Sequence, residues 1–254
     1  TMIFPSEGFE PDKTMYALKK ESCTAIHGVP TMFSAMLASS EFDGKRIKSL
    51  RTGIMAGSQC PEVLMRRVLY DLGCSEITIA YGMTETSPIS FQSDVNDPVD
   101  VRVSTVGRIQ PHCEVKIVED DGSTCAVGQT GELWTKGYLV MKGYWNDVEA
   151  TQSSIENGWM KTGDLATIDN EGFCRIVGRK KDMVIRGGEN IYPAELEEFL
   201  TDQKGILEAH VFGIPDEKFG EQLVAWIIAE EGAILDETNI QNLCKNALAY
   251  YKVP

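Results

Sequence analysis

Three short segments bring together side chains that could handle a nucleotide. The richest is Tyr81-Gly82-Met83-Thr84-Glu85-Thr86, in which an aromatic face, a glycine, a hydroxyl and a carboxylate fall within five positions. Together they can stack a base, admit a phosphate, hydrogen-bond its oxygen and hold Mg²⁺, a hard cation that takes oxygen ligands. The same run also reads as a plain helix start with Thr84 as its cap. In Ala56-Gly57-Ser58, small residues let a planar ring approach backbone N–H and C=O groups that can read a purine edge. An ordinary strand-to-helix turn has the same composition. The third segment, Thr162-Gly163-Asp164-Leu165, is joined by Arg179 fifteen positions beyond Asp164. One carboxylate can accept from both vicinal hydroxyls of a ribose, and a guanidinium offers a planar fork to phosphate or ribose oxygens. An exposed Asp with a surface Arg would look no different.

The elements that must position these segments are legible from periodicity. Residues 24–29 read as a strand, and Pro30 opens a helix over 31–38 with an apolar face of Met32, Phe33, Met36 and Leu37. A second strand over 49–55 leads into Ala56-Gly57-Ser58. Pro61 then starts a helix through Leu72, ended by Gly73, and residues 76–80 form a third strand that feeds Tyr81. This βαβ order predicts a parallel sheet covered by helices on both faces, with ligands outside the carboxyl ends of its strands. From about Val101 the pattern changes to short β segments: 113–119, 131–136 and a hairpin over 165–177 that turns at Asp169-Asn170-Glu171-Gly172. An antiparallel subdomain is expected there. A third style follows Gly178-Arg179-Lys180-Lys181-Asp182: a strand at 183–185, a Gly187-Gly188 loop, a helix over 193–202, strands near 207–212 and 223–229, and a helix from about Glu237. We therefore expect an α/β fold with a domain over 1–180 and a small α+β domain over 181–254.

Composition removes several function classes. Of 254 residues, 24 are Lys or Arg and 38 are Asp or Glu, for a net charge of −14, which speaks against nucleic acid as a partner. The longest purely apolar run, residues 223–229, is far short of the roughly 20 needed to cross a bilayer, and Thr1-Met2-Ile3-Phe4-Pro5 lacks the pattern of a signal peptide. Seven cysteines lie no closer than Cys113 and Cys125, and the three histidines are His27, His112 and His210. That spacing fits neither zinc nor a disulfide scaffold and suits a reducing interior such as cytosol or mitochondrial matrix. G-x-x-x-x-G-K-[ST], G-x-G-x-x-G, HExxH and G-x-S-x-G are all absent from the chain. His27 reads as a buried or edge histidine, and Trp134, Trp145, Trp159 and Trp226 as packing residues, Trp226 inside a core strand.

Taken in order, Ala56-Gly57-Ser58, Tyr81-Gly82-Met83-Thr84-Glu85, Gly131-Glu132-Leu133 leading to Gly143-Tyr144, Thr162-Gly163-Asp164-Leu165, Gly178-Arg179 and Gly187-Gly188-Glu189-Asn190-Ile191-Tyr192-Pro193 resemble the adenylate-forming superfamily over nearly the whole chain. That superfamily comprises acyl-CoA synthetases, firefly luciferase and peptide-synthetase adenylation domains. Within it the chain is most similar to the mitochondrial medium-chain acyl-CoA ligases. The resemblance implies a large AMP-binding domain with parallel sheet layers and a small antiparallel β subdomain, followed by part of a small α+β domain. It also implies activation of a fatty acid by Mg·ATP to acyl-AMP, then transfer to coenzyme A, in the mitochondrial matrix or otherwise the cytoplasm. By the same resemblance Ala56, Gly57 and Ser58 line the adenine, Tyr81 stacks on it beside Gly82, Thr84 contacts the α-phosphate, and Glu85 holds Mg²⁺. Asp164 takes the ribose hydroxyls, with Arg179 nearby, and Met83 sits at the acyl pocket. Lys181 occupies the hinge, and Gly187 and Gly188 line the path of the coenzyme A arm.

The superfamily's Ser/Thr/Gly-rich phosphate loop and the catalytic lysine of its adenylation step have no counterpart among these residues. On that ground the chain is expected to be an internal piece of a longer enzyme, inactive alone. Two alternatives stay open: a module that binds AMP or acyl-AMP without turnover, and an adenylation domain serving a carrier protein. The run Asn190-Ile191-Tyr192-Pro193 favours a free-standing synthetase.

Overall fold

The computed structural model describes residues 1–254 and arranges them in three sheets. Prolines set two of the early helices: Pro11 starts α1 (Pro11–Lys20), and Pro30 starts α2 (Pro30–Leu37) directly after β1 (Ala25–Gly28), their fixed φ matching the first helical position. β2 (Thr52–Ala56) leads through the Gly57 turn to α3 (Glu62–Arg67), which widens into a π turn over Val68–Leu72 and stops at Gly73 in the left-handed region. β3 (Glu76–Tyr81) follows. β1, β2 and β3 are parallel, and a Cβ on Gly53 would lie 1.8 Å from the Ile26 carbonyl oxygen, so only glycine permits the spacing of β1 and β2. Phe33, Met36, Met55, Met65, Leu72 and Ile77 fill the core between this sheet and its helices.

The first sheet departs from the purely parallel expectation. After β3 the chain returns through a short turn as β4 (Phe91–Gln92), which is antiparallel to β3 because so short a connection cannot make a parallel crossover. β5 (Arg108–Ile109) extends this edge. Between them the expected onset of β structure at Val101 is overturned: Val99–Ser104 is a helix, α4. The alternation Val99-Asp100-Val101-Arg102-Val103 mimics a strand, but Val99 and Val103 are four apart and pack on the same core, while buried Arg102 donates to the Ile77 carbonyl at 2.8 Å.

The second sheet is antiparallel. β6 (Cys113–Val118) pairs with β7 (Gly131–Gly137), then come α5 (Val148–Ser154), the short β8 (Ile155–Glu156), β9 (Trp159–Ile168) and β10 (Cys174–Arg179), in the spatial order β10-β9-β7-β6. The third sheet holds β11 (Val184–Arg186), β12 (Glu189–Ile191), β13 (Ile206–Asp216) and β14 (Gly220–Ala229). α6 (Pro193–Thr201) and α7 (Glu237–Ala247) contribute Leu196, Leu200 and Cys244 to its core. The outer face of β13 and β14 corrects the sequence-based expectation for Trp226. It is 68% exposed and edge-to-face with Phe212, because it alternates with the inward residues Leu223, Ala225 and Ile227. Trp145 is 91% exposed, whereas Trp134 is buried. His27 is exposed on the edge strand β1. No helix is long and apolar enough to cross a membrane.

Candidate functional site

The register of β2 and β3 pairs Ala56 with Ala80, so the Ala56-Gly57-Ser58 and Tyr81–Thr86 segments leave the sheet side by side from the carboxyl ends of parallel strands. Gly57 has φ +94°, a backbone conformation that a side chain would strain.

Asp164 reaches the same place from the second sheet. The β7–β9 ladder is irregular here: Glu132 pairs with Leu165, yet Trp134 pairs with Lys161, so residues 162–164 bulge opposite Leu133. The bulge is braced by three hydrogen bonds. Thr162 Oγ1 donates to the Leu133 carbonyl at 2.8 Å, the Asp164 N–H donates to Thr162 Oγ1 at 3.1 Å, and the Gly163 N–H donates to Glu132 Oε1 at 3.2 Å. Such a bulge re-aims a side chain, and here it delivers the Asp164 carboxylate to the end of β3. Tyr81 Oη donates to Asp164 Oδ2 at 2.5 Å, and Arg179 Nε lies 3.5 Å from Asp164 Oδ1. Asp164 and Arg179 are also direct cross-strand partners in the β9–β10 ladder. The carboxylate is 15% exposed and the guanidinium 63%, so the charge is sheltered while its cation faces solvent. Burial, and then the Asp164 charge, push the Tyr81 hydroxyl well above its ordinary range, so it remains a donor.

The turn after β3 corrects two details. A Cβ on Gly82 would lie 1.8 Å from the Pro88 carbonyl oxygen, so the room left by this glycine is taken by the chain itself rather than left for a phosphate. The hydroxyl that closes the single helical turn Thr84–Thr86 belongs to Thr86, not Thr84: buried Thr86 Oγ1 accepts from the Met83 N–H at 3.1 Å. Thr84 is thereby left exposed, and Met83 is half-buried.

Glu85 is half-buried and held by the loop after β7. The Met141 N–H donates to its carbonyl at 2.9 Å, and Tyr144 Oη donates to its Oε1 at 2.8 Å. That contact is the first cause of a raised Tyr144 pKa. Glu85 does not belong to any group of three acidic, histidine or cysteine side chains that could hold a metal alone. One hard carboxylate with a spare oxygen does fit Mg²⁺ of the kind that keeps its waters and binds mainly through substrate phosphates.

Lys181 lies exposed in the single turn Lys180–Asp182 between β10 and β11, without an ion pair. Its neighbour Lys180 makes the contacts, 2.8 Å to Asp120 and 3.5 Å to Glu132, and the Asp120 hydrogen bond raises its pKa. Gly187 and Gly188 turn β11 into β12 at φ +61° and +90°; the Gly187 N–H donates to Phe219, and a Cβ on Gly188 would meet nothing. No contact joins them to Asp164. The structure thus joins Tyr81, Asp164 and Arg179 directly, sets the Ala56 loop beside them, and leaves Lys181, Gly187 and Gly188 apart. Glu132, Tyr144 and Lys180 carry no functional signal in the sequence by residue type and spacing. Only the recurrence of Glu132 and Tyr144 in the motif series pointed toward two of them.

A family model described as AMP-binding enzyme matches residues 1–145, and one described as AMP-binding enzyme C-terminal domain matches residues 195–254. The chain is 49% identical over 256 residues to a Bacillus subtilis (strain 168) protein named "Putative acyl-CoA synthetase YngI", covering 99% of this chain and 46% of that one. It is 44% identical to "Medium-chain acyl-CoA ligase ACSF2, mitochondrial" of Danio rerio, covering 100% of this chain and 42% of that one. Among solved structures, ATP-bound MatB from Rhodopseudomonas palustris superposes with a TM-score of 0.88 at 31% identity, over 97% of this chain and 48% of that one. The chain spans less than half the length of these two relatives.

Proposed function

Because this chain belongs to the AMP-binding enzyme family, we propose that it carries the nucleotide-binding part of an acid–thiol ligase that activates a fatty acid, medium-chain by likeness to ACSF2. A carboxylate oxygen attacks the α-phosphorus of ATP, the bond to pyrophosphate breaks, and acyl-AMP forms. The thiol of coenzyme A then attacks the acyl carbonyl, the bond to AMP breaks, and the thioester leaves.

One observation carries this reading: Asp164, Tyr81 and Arg179 converge from three strands of two sheets beside the Ala56 loop. A sheltered carboxylate with one oxygen on a phenol and the other facing a guanidinium is a receptor for paired hydroxyls. In this reading Asp164 accepts from the ribose, Arg179 supports it, Tyr81 offers its ring to the adenine, and Ala56, Gly57 and Ser58 line the base edge. Gly82 shapes the turn that presents the exposed Thr84 hydroxyl to the α-phosphate. Glu85 holds Mg²⁺, which when bound neutralises phosphate charge. Met83 borders the acyl group, Lys181 is the pivot between the two steps, and Gly187 and Gly188 give the coenzyme A arm close backbone approach. The substrates are small molecules. Seven free thiols suit a reducing compartment, mitochondrial matrix or cytoplasm.

The test is calorimetric binding of AMP and of a non-hydrolysable octanoyl-AMP analogue. We expect both to bind and Asp164→Ala to weaken both at least tenfold; equal binding by Asp164→Ala rejects the site. A polypeptide carrying these residues at the relatives' full length, assayed with coenzyme A and with a phosphopantetheinyl carrier protein, separates ligase from carrier-directed adenylation. A series of acids from acetate to palmitate reads chain length.

A further inference from the structure

Glu85 is gripped at both its backbone and its side chain, and both grips come from one loop. The Met141 N–H fixes the main chain of the Thr84–Thr86 turn, while Tyr144 Oη takes carboxylate oxygen Oε1 at 2.8 Å. Tyr144 is itself braced. Its N–H donates to Thr151 Oγ1 at 2.9 Å, Thr151 Oγ1 donates to the Asp147 carbonyl at 2.7 Å, and Asp147 Oδ1 accepts from the Ala150 N–H to cap α5 at 2.8 Å. The helix thus anchors a tyrosine that reaches Glu85 across 59 positions of sequence. Tyr144 is 38% exposed and Glu85 is half-buried, so the pair sits at the surface beside exposed Thr84. A phenol carries no charge and leaves the carboxylate's attraction for a cation intact, which a lysine in the same place would cancel. The second oxygen, Oε2, accepts no hydrogen bond from the protein, whereas a freely turning carboxylate would have to give up side-chain entropy before it could take a ligand.

We propose that Tyr144 is a positioning residue, whose hydroxyl holds the Glu85 carboxylate in one orientation and presents its remaining oxygen to a divalent cation borne by a polyphosphate. The proposal rests on the nucleotide reading above and supplies the device that orients its metal-binding carboxylate.

The test is binding of adenylyl imidodiphosphate to the 254-residue protein with and without Mg²⁺, alongside AMP without metal. Tyr144→Phe removes one oxygen and keeps the ring and the backbone bond to Thr151. We expect the Mg²⁺-dependent gain in affinity to fall about three- to tenfold, the scale of immobilising one mobile side chain on binding. Metal-free AMP affinity should stay unchanged, and in a Glu85→Gln background Tyr144→Phe should cost nothing further. An undiminished Mg²⁺ effect in Tyr144→Phe overturns the proposal. So does a parallel loss of AMP affinity, which would mark a merely structural tyrosine, or the absence of any Mg²⁺ effect in the unsubstituted protein. Failure of AMP itself to bind removes the nucleotide reading and this proposal together, and is distinguished by the metal-free arm.

Discussion

Asp164→Asn separates the charge of the carboxylate from its shape. The amide oxygen can still accept from Tyr81 Oη, so the half-buried phenol keeps its partner. The lost ion pair is with a guanidinium that is 63% exposed, and pairs of that kind contribute little to stability. The fold should therefore lose less than about 1 kcal/mol. Binding should lose more. Two hydroxyls donating to a carboxylate make charge-assisted bonds of about 1.5–3 kcal/mol each, against about 0.5–1.5 kcal/mol to a neutral acceptor. The difference over two bonds is about 2–3 kcal/mol, or roughly 30- to 150-fold in Kd. Calorimetry with AMP and 2′,3′-dideoxy-AMP resolves this. The unsubstituted protein should discriminate strongly between the two, and Asp164→Asn should lose most of that discrimination while binding the dideoxy nucleotide as before. Discrimination that survives Asp164→Asn, with a urea midpoint showing the fold intact, would refute the assignment of the ribose to Asp164.

Other consequences are measurable by stability. Gly82→Ala and Gly53→Ala place a Cβ 1.8 Å from a backbone carbonyl oxygen and should cost more than about 3 kcal/mol, whereas Gly163→Ala meets nothing and should cost about 1–2 kcal/mol from its left-handed φ alone; urea melts that rank the three alike would contradict this. Burial pushes the thiols of Cys60, Cys74 and Cys174 from 9.0 up to about 12. Their raised folded values mean that the native state keeps protons the unfolded chain releases. This stabilisation is full below pH 9 and is lost between pH 9 and about 12, with a slope near 4 kcal/mol per pH unit for three groups. Unfolding free energies flat from pH 8 to 11 would be incompatible with it. Trp226→Ser should cost about 0.5–1.5 kcal/mol, the edge-to-face contact with Phe212, because the side chain is otherwise exposed, and a loss well above that by thermal melt would show that the outer face of β14 is covered.

What could be read in the sequence was local. Asp169-Asn170-Glu171-Gly172 announces its hairpin because Asp169 Oδ1 accepts from the N–H groups of Glu171 and Phe173, a bond pattern contained in five residues. The βαβ unit is equally legible, since Pro30, Gly73 and the apolar spacing around them act within a turn or two. Asp164 and Tyr81 could each be nominated by chemical type, but not their 2.5 Å contact across 83 positions, which depends on a bulge opposite Leu133. Tyr144 escaped for the same reason: its partner, Glu85, lies 59 positions away in the turn that follows β3. The helix Val99–Ser104 was not legible because valines every second residue satisfy two periodicities at once, and in the fold Val99 and Val103 pack on one core while Arg102 is buried on the Ile77 carbonyl. Trp226 misled because hydrophobic type says nothing about which face of a strand is covered.

The last rung of the β9–β10 ladder joins Asp164 to Arg179, and the next residue, Lys180, touches Glu132, which in turn accepts from the Gly163 N–H. These contacts close a circuit from the sheltered carboxylate through the turn at Lys180–Asp182 and back. By linkage, were a ligand at Asp164 to shift the equilibrium of that turn, a rearranged turn would alter affinity at Asp164 by the same factor. Lys180 closes the circuit on a Glu132 carboxylate that is only 14% exposed, so salt screens this link less than it screens the lysine's other pair, with the 86% exposed Asp120.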